Sequence, residues 1–247
     1  MNDTAEKSKA MSGSKPNYLA IALIIGGIIC SVFVYKVYQF NKLEHEVFLR
    51  TNSKMKLKSV GRALGDYTNE HEEYPNSLRD GLSWQARLLP FLGQDHIYQQ
   101  IEFSEPWDSS SNLRIAESVI EDFQVHSFDK KNANGIALSH FAGNKHVFDS
   151  SEPVKKTHMQ HVLMNSTILA FEISNGFMPW MDPSNLRDPM NGFGNGENQI
   201  GGVSIGGCNV LLSDGTVIFL SENTDAEIIE CLSTITAKES PCELFSF

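Results

Sequence analysis

The stretch from Asn175 to Gly202 has residue types that bind a divalent cation. It is dense in glycine, proline, asparagine and aspartate, which predicts a long loop without regular structure. Side-chain oxygens on a glycine-rich loop are the ligands that Ca²⁺ requires, although no EF-hand spacing is present. The candidate calcium ligands are Asp182, Asp188, Asn191, Asn195 and Glu197.

Other residues with reactive or ligating side chains have simpler interpretations. His158 and His161 could share one helical face, but no third metal ligand is identifiable nearby, so they are interpreted as solvated. Asp214 is followed by Gly215 between two apolar runs, a pattern typical of a turn. The chain has no nucleophile elbow, phosphate-binding loop or dinucleotide fingerprint. The sequence therefore predicts a protein that is not an enzyme and has no cofactor other than calcium.

Composition narrows the class of partner. The 247 residues carry a net charge of −10, and an acidic surface repels phosphates, which argues against nucleic acid as a partner. None of the four cysteines forms a C-x-x-C pair, so no structural zinc site is indicated. In an exported domain Cys231 and Cys242 could form a disulfide, and free buried thiols are the alternative.

The first apolar run predicts a membrane anchor. Residues 18–35 carry no charge, and 18 residues is near the lower limit for spanning the hydrocarbon core as a helix. We expect a polar tail at 1–17, an uncleaved transmembrane anchor at 18–40 in contact with lipid, and a helical continuation at 41–75 that ends at Pro75. A buried core helix is the alternative for the apolar run. Residues 76–247 are expected to form a globular domain.

One segment of that domain predicts a central strand, and a second predicts a further strand. Thr167 to Ile173 is an apolar run, and "EDFQVHSF" (121–128) alternates as a strand does. The stretch "VLLSDGTVIFL" predicts a hairpin with a two-residue turn at Asp214-Gly215, in which Leu212 faces Val217. Both faces of this hairpin are apolar, so both should be covered. The predicted class is α+β, with the long N-terminal helix packed on an antiparallel sheet.

Five blocks in order resemble a known family. They are "LKSVGRALGDYTNEHEEYP", "GLSWQARLLPFLGQ", "EPWDSSSN", "STILAFEI" and "GGCNVLLSDGTVIFLS", which together span residues ~50–235. The chain resembles the bacterial pilin-like family of domain of unknown function 1559, whose C-terminal signature is a histidine, nine residues and Asp-Gly. The residues that match the family's blocks, or stand at its signature position, are Leu57, Gly61, Tyr67, Pro75, Trp84, Pro106, Trp107, Asp108, Glu172, Ser204, Gly207, Asn209, Asp214 and Gly215.

The chain departs from this pattern at two places. Ser204 stands where the family has the signature histidine, and the N-terminus lacks the site that prepilin peptidase reads. Charge counting alone puts the C-terminal domain in the cytoplasm, whereas the resemblance favours export.

The expectation is a single-pass protein of the inner (cytoplasmic) membrane with its C-terminal domain outside the cytoplasm. It would assemble with similar pilin-like subunits through the long helix, or make contacts at the surface. The alternative is a tethered binding module for a glycan, a peptide or a divalent ion, with Trp180 and the 175–202 loop at its site.

Overall fold

The computed structural model describes residues 17–160, 167–194 and 196–235, with the backbone alone at residues 20–22, 24, 78, 80 and 160. The chain divides into two compact units, Met1–His45 and Glu46–Phe247. In the first unit, every side chain from Ile25 to His45 is exposed, and most of those from Ile25 to Phe40 are apolar.

One helix occupies the N-terminal part of the chain as predicted. Helix α1 is Tyr18–His71. It ends where Glu72 adopts a left-handed backbone (φ 60°), three residues before Pro75. No helix among the residues whose side chains are described is long and apolar enough to cross a bilayer. The predicted anchor at 18–40 includes side chains at 20–22 and 24 that lie outside the described set, so its membrane role stays a prediction.

The remaining helices of the described residues are short. The α-helices are α2 (Ser77–Asp80), α3 (Asp95–Tyr98), α4 (Ser110–Ala116), α5 (Lys145–Phe148), α6 (Lys156–Gln160) and α7 (Ala226–Ser233). Single 3₁₀ turns cover Ala86–Leu88, Pro90–Leu92, Glu121–Phe123 and Pro189–Asn191. Ser109 begins α4, because its Oγ accepts a hydrogen bond from the Asn112 N–H at 3.2 Å.

The strands form two sheets. They are β1 (Leu138–Ser139), β2 (Phe141–Asn144), β3 (Ile168–Glu172), β4 (Met178–Pro179), β5 (Leu186–Arg187), β6 (Gly207–Leu212) and β7 (Val217–Ser221). β1 and β4 pair as a small ribbon, and the main sheet has the order β5-β2-β3-β6-β7. The pairing of β5 with β2 is parallel, so this sheet is mixed and not purely antiparallel as predicted.

The sheet is covered on both faces, as the apolar pairs of the hairpin predicted. Leu57, Val60 and Leu64 of α1 belong to one buried cluster with Leu211 and Val217. On the other face, the second cluster joins α7 to the sheet and contains Phe171, Val210, Leu212, Leu220 and Leu232. The α+β class is therefore confirmed, and Ile168–Glu172 is the central strand.

The hairpin register differs from the prediction by one residue. Leu211, not Leu212, faces Val217. The Gly215 N–H donates to the Leu212 carbonyl at 2.9 Å, and the Leu212 N–H donates to the Thr216 carbonyl at 2.9 Å. With Gly215 at φ 83°, this is a three-residue loop with a type I turn and a glycine bulge.

The strand predicted at 121–128 is absent: this segment begins with a 3₁₀ turn and forms no ladder. Its polar groups bond across the chain to side chains and isolated carbonyls. The Val125 N–H donates to Nδ1 of His140 at 2.7 Å, and Nε2 of Gln124 donates to the Leu138 carbonyl at 2.6 Å. These bonds satisfy polar groups of the segment that has no neighbouring strand, although its alternating pattern predicts one.

Candidate functional site

A buried carboxylate lies at the end of the central strand. Glu172 is the last residue of β3, and its side chain is 1 % exposed. An ionised group at such a depth requires hydrogen-bond donors. The sequence singled out this glutamate only as a residue that matches the family's strand block.

Two residues supply those donors, one from α1 and one from β6. Oε1 of Glu172 accepts a hydrogen bond from Oγ of Ser53 and another from Nδ2 of Asn209 at 3.0 Å. Oε2 accepts the backbone N–H of Asn209 at 2.8 Å. Nδ2 of Asn209 also donates to the Arg50 carbonyl at 3.0 Å, so the same amide reaches the helix backbone. This polar cluster fixes α1 to the sheet.

The pKa of Glu172 is raised above its ordinary value, mainly because burial disfavours the charged form. The donors on Ser53 and Asn209 and the charge of Arg50 oppose the increase. Burial and the neighbouring Glu172 also raise the pKa of the Cys208 thiol. A thiol that stays protonated is a poor nucleophile.

Glycines let the surrounding chain approach this cluster. A Cβ on Gly202 would lie 2.3 Å from Oε2 of Glu172, and a Cβ on Gly207 would lie 2.1 Å from the Leu220 carbonyl oxygen. Both distances are far below van der Waals contact. Gly207, predicted as a family position, is therefore required by the close approach of β6 to β7.

Ser204 stands at the family's histidine position. It is half-buried and lies close in the sequence to Gly202 and Gly207. Its Oγ is buried, and among the described residues it has no hydrogen-bond partner. Oδ1 of Asn209 is in the same condition.

The predicted calcium ligands have other partners. Oδ1 of Asp182 accepts hydrogen bonds from the N–H and the hydroxyl of Ser184 at 2.8 and 2.6 Å. Oδ1 of Asp188 bonds Nε2 of His146 at 2.9 Å, and its Oδ2 lies 3.2 Å from Nζ of Lys145. Burial acts to raise the pKa of Asp188, but the hydrogen bonds from His146, the Met190 N–H and Lys145 outweigh it and lower the pKa.

The other described members of the set also have partners within the protein. Nδ2 of Asn191 donates to the Asn198 carbonyl at 3.1 Å, and Glu197 lies near the buried guanidinium of Arg187. Asn195 lies outside the described residues, as does His161 of the predicted histidine pair. Within the described part of the chain, no group of three or more His, Cys, Asp or Glu side chains is placed to hold a metal ion.

Arg187 has a structural role that the sequence did not indicate. It is 5 % exposed and donates to the carbonyls of Asn175, Gly176 and Gln199. Burial lowers its pKa to about 10. The guanidinium thus holds together two segments of the 175–202 loop.

The three tryptophans are core residues or contact the core. Trp84 and Trp180 are fully buried, and Trp84 stacks on Phe148 with ring centroids 4.8 Å apart. Trp107 is partly buried against the same cluster, between the exposed Pro106 and Asp108. The alternative that Trp180 forms part of a binding site loses its support, because that side chain has no exposed surface.

Asp214 stabilises the hairpin turn. Its Oδ1 accepts hydrogen bonds from the N–H and the hydroxyl of Thr216 at 2.8 and 2.7 Å. The geometry supports the turn interpretation of Asp214-Gly215.

Residues 50–128 match the family model described as protein of unknown function (DUF1559), and this segment belongs to that family. The match includes Leu57, Gly61 and Trp84. The blocks around Glu172 and the terminal hairpin lie outside it. Searches of curated proteins and of solved structures return no match.

Proposed function

We propose that the protein, which carries a DUF1559 segment at residues 50–128, is a non-enzymatic, membrane-anchored, pilin-like subunit with its domain outside the cytoplasm. One observation carries the proposal. Large apolar side chains of α1, among them Ile29, Phe33 and Tyr38, are each more than half exposed. A contiguous apolar surface of this kind is rare on a soluble monomer, because water contact with it is unfavourable.

The apolar surface of α1 has two parts with different expected partners. From Ile25 to Tyr35 it continues around the helix, which suits lipid. Phe33, Val37 and Phe40 then follow a spacing of four and three, which places them on one face. Such a narrow stripe suits another helix, and a similar subunit supplies one.

A disulfide supports the export part of the proposal. Cys231 is disulfide-bonded, whereas Cys30 and Cys208 are free. Disulfides persist outside the cytoplasm, where thiols are not kept reduced. Cys242, the partner considered from the sequence, lies outside the described residues.

The test is crosslinking of the full chain in bacterial membranes. In a Cys30→Ser background, Phe40→Cys is expected to form a disulfide-linked dimer under mild oxidation. Lys42→Cys, about 200° around the same helix, is the matched control and is expected to crosslink far less. Release of the protein by alkaline carbonate would contradict anchoring, and a Phe40→Cys chain that stays monomeric would contradict assembly.

A binding module is the second candidate, and a cleft in the domain favours it. The cleft has a volume of about 600 Å³ and lies between α1, α6 and the hairpin turn. Arg62, Asp66, Lys156 and Asp214 line it, together with the buried Leu169. A ligand of this site would raise the melting temperature of the protein. A thermal-shift screen of calcium salts and oligosaccharides without any increase would count against this candidate.

A further inference from the structure

The outer edge of β7 has no neighbouring strand within the described part of the chain. β7 is the last strand of the main sheet and pairs only with β6 among the described residues. We propose that this edge binds an extended peptide segment with an apolar centre and lysine or arginine at both ends. The bound segment adds a strand to the sheet through backbone hydrogen bonds.

The hydrogen-bond pattern of the hairpin shows which backbone groups face outward. Leu212 bonds Thr216, and Gly206 bonds Glu222 at 2.9 Å, so the bonded pairs between them are Val210–Ile218 and Cys208–Leu220. The N–H and C=O groups of Val217 and Phe219 therefore point away from β6. None of them has a hydrogen-bond partner among the described residues. They form the row of donors and acceptors that an added strand requires.

The two edges of the sheet are built differently. β5, at the opposite edge, has two residues and is followed by Asp188 and Pro189. A short strand that is closely followed by a proline is commonly protected against the addition of a further strand. β7 has five residues and pairs with β6 without a bulge. It contains no proline, glycine or lysine. The protection seen at β5 is missing at β7.

The charges around β7 indicate which kind of peptide segment its edge binds. Residues 207–235 contain no lysine or arginine, and they contain five acidic residues, Asp214, Glu222, Asp225, Glu227 and Glu230. Asp214 lies before β7, and Glu222 follows it directly. Arg50 contacts the strand, with its guanidinium carbon 3.5 Å from the centre of the Phe219 ring. That arginine covers a face of the strand.

A second copy fits this edge poorly. Antiparallel pairing of two β7 strands would bring Asp214 of one copy near Glu222 of the other, and like charges across a strand pair are destabilising. A segment with basic ends would instead face Glu222 after β7 and Asp214 before it. At the Asp214 end, Arg62 and Lys156 line the same cleft and oppose part of this attraction, so Glu222 contributes more. The charge pattern therefore favours a basic partner over self-association.

The test measures binding of the labelled peptide Lys-Lys-Val-Thr-Val-Thr-Val-Lys-Lys to the full chain in detergent by fluorescence anisotropy. Two control peptides replace either all lysines with glutamate or both threonines with proline. The first control tests charge, and the second tests strand formation at equal charge. Saturable binding of the parent peptide is expected, with each control at least about tenfold weaker, a difference of roughly 1.4 kcal/mol.

Phe219→Pro removes an outward N–H without removing a β6 hydrogen bond, so the chain is expected to fold and to bind the peptide at least about tenfold more weakly. Glu222→Lys, at an exposed position, tests the charge requirement with the backbone of β7 intact. Circular dichroism confirms folding of both variants.

If both fold and bind like wild type, the edge is not the site. If the proline peptide binds as tightly as the parent peptide, the binding is electrostatic attraction alone. If two copies of the chain crosslink through their β7 strands, the occupant of the edge is a second copy. Each of these results overturns the proposal.

Discussion

Glu172 binds residues that are far apart in the sequence and brings them together in the fold. Its two oxygens bond Ser53 and Asn209, which lie 119 and 37 residues away along the chain. Because the group is buried, each of these bonds replaces one with water, and a lost partner leaves a donor unsatisfied. The cluster is consequently a point where one substitution affects a helix and two strands.

Glu172→Ala is expected to lower the unfolding free energy by about 3 kcal/mol, because it leaves the Asn209 N–H and the Ser53 hydroxyl buried without an acceptor. Chemical denaturation measures the loss. Glu222→Ala removes the same side chain at an exposed position and is expected to cost less than about 0.5 kcal/mol. A Glu172→Ala chain as stable as this control would contradict the role given to the cluster.

Glu172→Gln tests the titration of the same group. The pKa of Glu172 is raised above 4.5 in the folded state, so its stabilising contribution is full below about pH 4.5 and is lost as pH rises through the folded pKa. The glutamine variant cannot lose a proton. Its stability relative to wild type is therefore expected to increase as pH rises above 4.5. Unfolding at a series of pH values measures this difference, and a decreasing difference would show the opposite sign of the shift.

At the scale of elements, α1 carries two glycines whose surroundings differ. A Cβ on Gly61 would lie 2.6 Å from Cδ1 of Leu211, which is fully buried, whereas a Cβ on Gly65 would meet nothing within 4 Å. Only the first glycine lets the helix and β6 approach each other. Both positions share the low helix propensity of glycine, so they form an internal comparison.

Gly65→Ala is expected to stabilise the protein by about 1 kcal/mol, since alanine favours the helix and has free space. Gly61→Ala gains the same propensity but overpacks the core, and is expected to lose about 1 kcal/mol overall. Thermal and urea unfolding of the two variants measure both signs. Equal effects at the two positions would contradict the packing of α1 on β6.

Gly215 tests the corrected hairpin. At φ 83°, Gly215→Ala is expected to lower the unfolding free energy by about 1–2 kcal/mol, and Gly215→Asn by less, because asparagine tolerates this conformation better. Denaturation curves of the pair measure the order. If alanine is tolerated as well as asparagine, the left-handed bulge is not required.

The elements that the sequence predicted well are those fixed by local rules. Pro75 predicted the end of α1 to within a few residues, and the apolar run at 167–173 predicted the central strand. The hairpin register was wrong by one, because Asp-Gly also occurs in a three-residue loop. The Glu172 cluster could not be assembled, since the partners of a buried carboxylate depend on which helix face meets which strand. Nothing local reveals that β5 joins the sheet in parallel.

At the scale of the whole molecule, the redox state of the cysteines indicates whether the domain lies outside the cytoplasm. In the folded protein Cys30 is exposed and Cys208 is buried. Because lipid covers Cys30 in the proposed anchor, alkylation of the native chain in membranes is expected to label neither Cys30 nor Cys208. Unfolding in detergent without reductant is expected to label both. Cys231 should react only after reduction. Mass spectrometry of the peptides measures each step, and labelling of Cys231 before reduction would remove the disulfide argument for export.

The contact between the Arg50 carbonyl and Asn209 spans 159 residues, which has a consequence for biosynthesis. Helix α1 leaves the ribosome first, but the strand that covers its apolar face is translated much later. At roughly 10 residues per second, that face waits on the order of 15 s for its partner. During this interval the nascent chain presents an unprotected apolar helix. We therefore expect productive folding of the domain to depend on early capture of its N-terminus, by a chaperone or by the membrane insertion machinery.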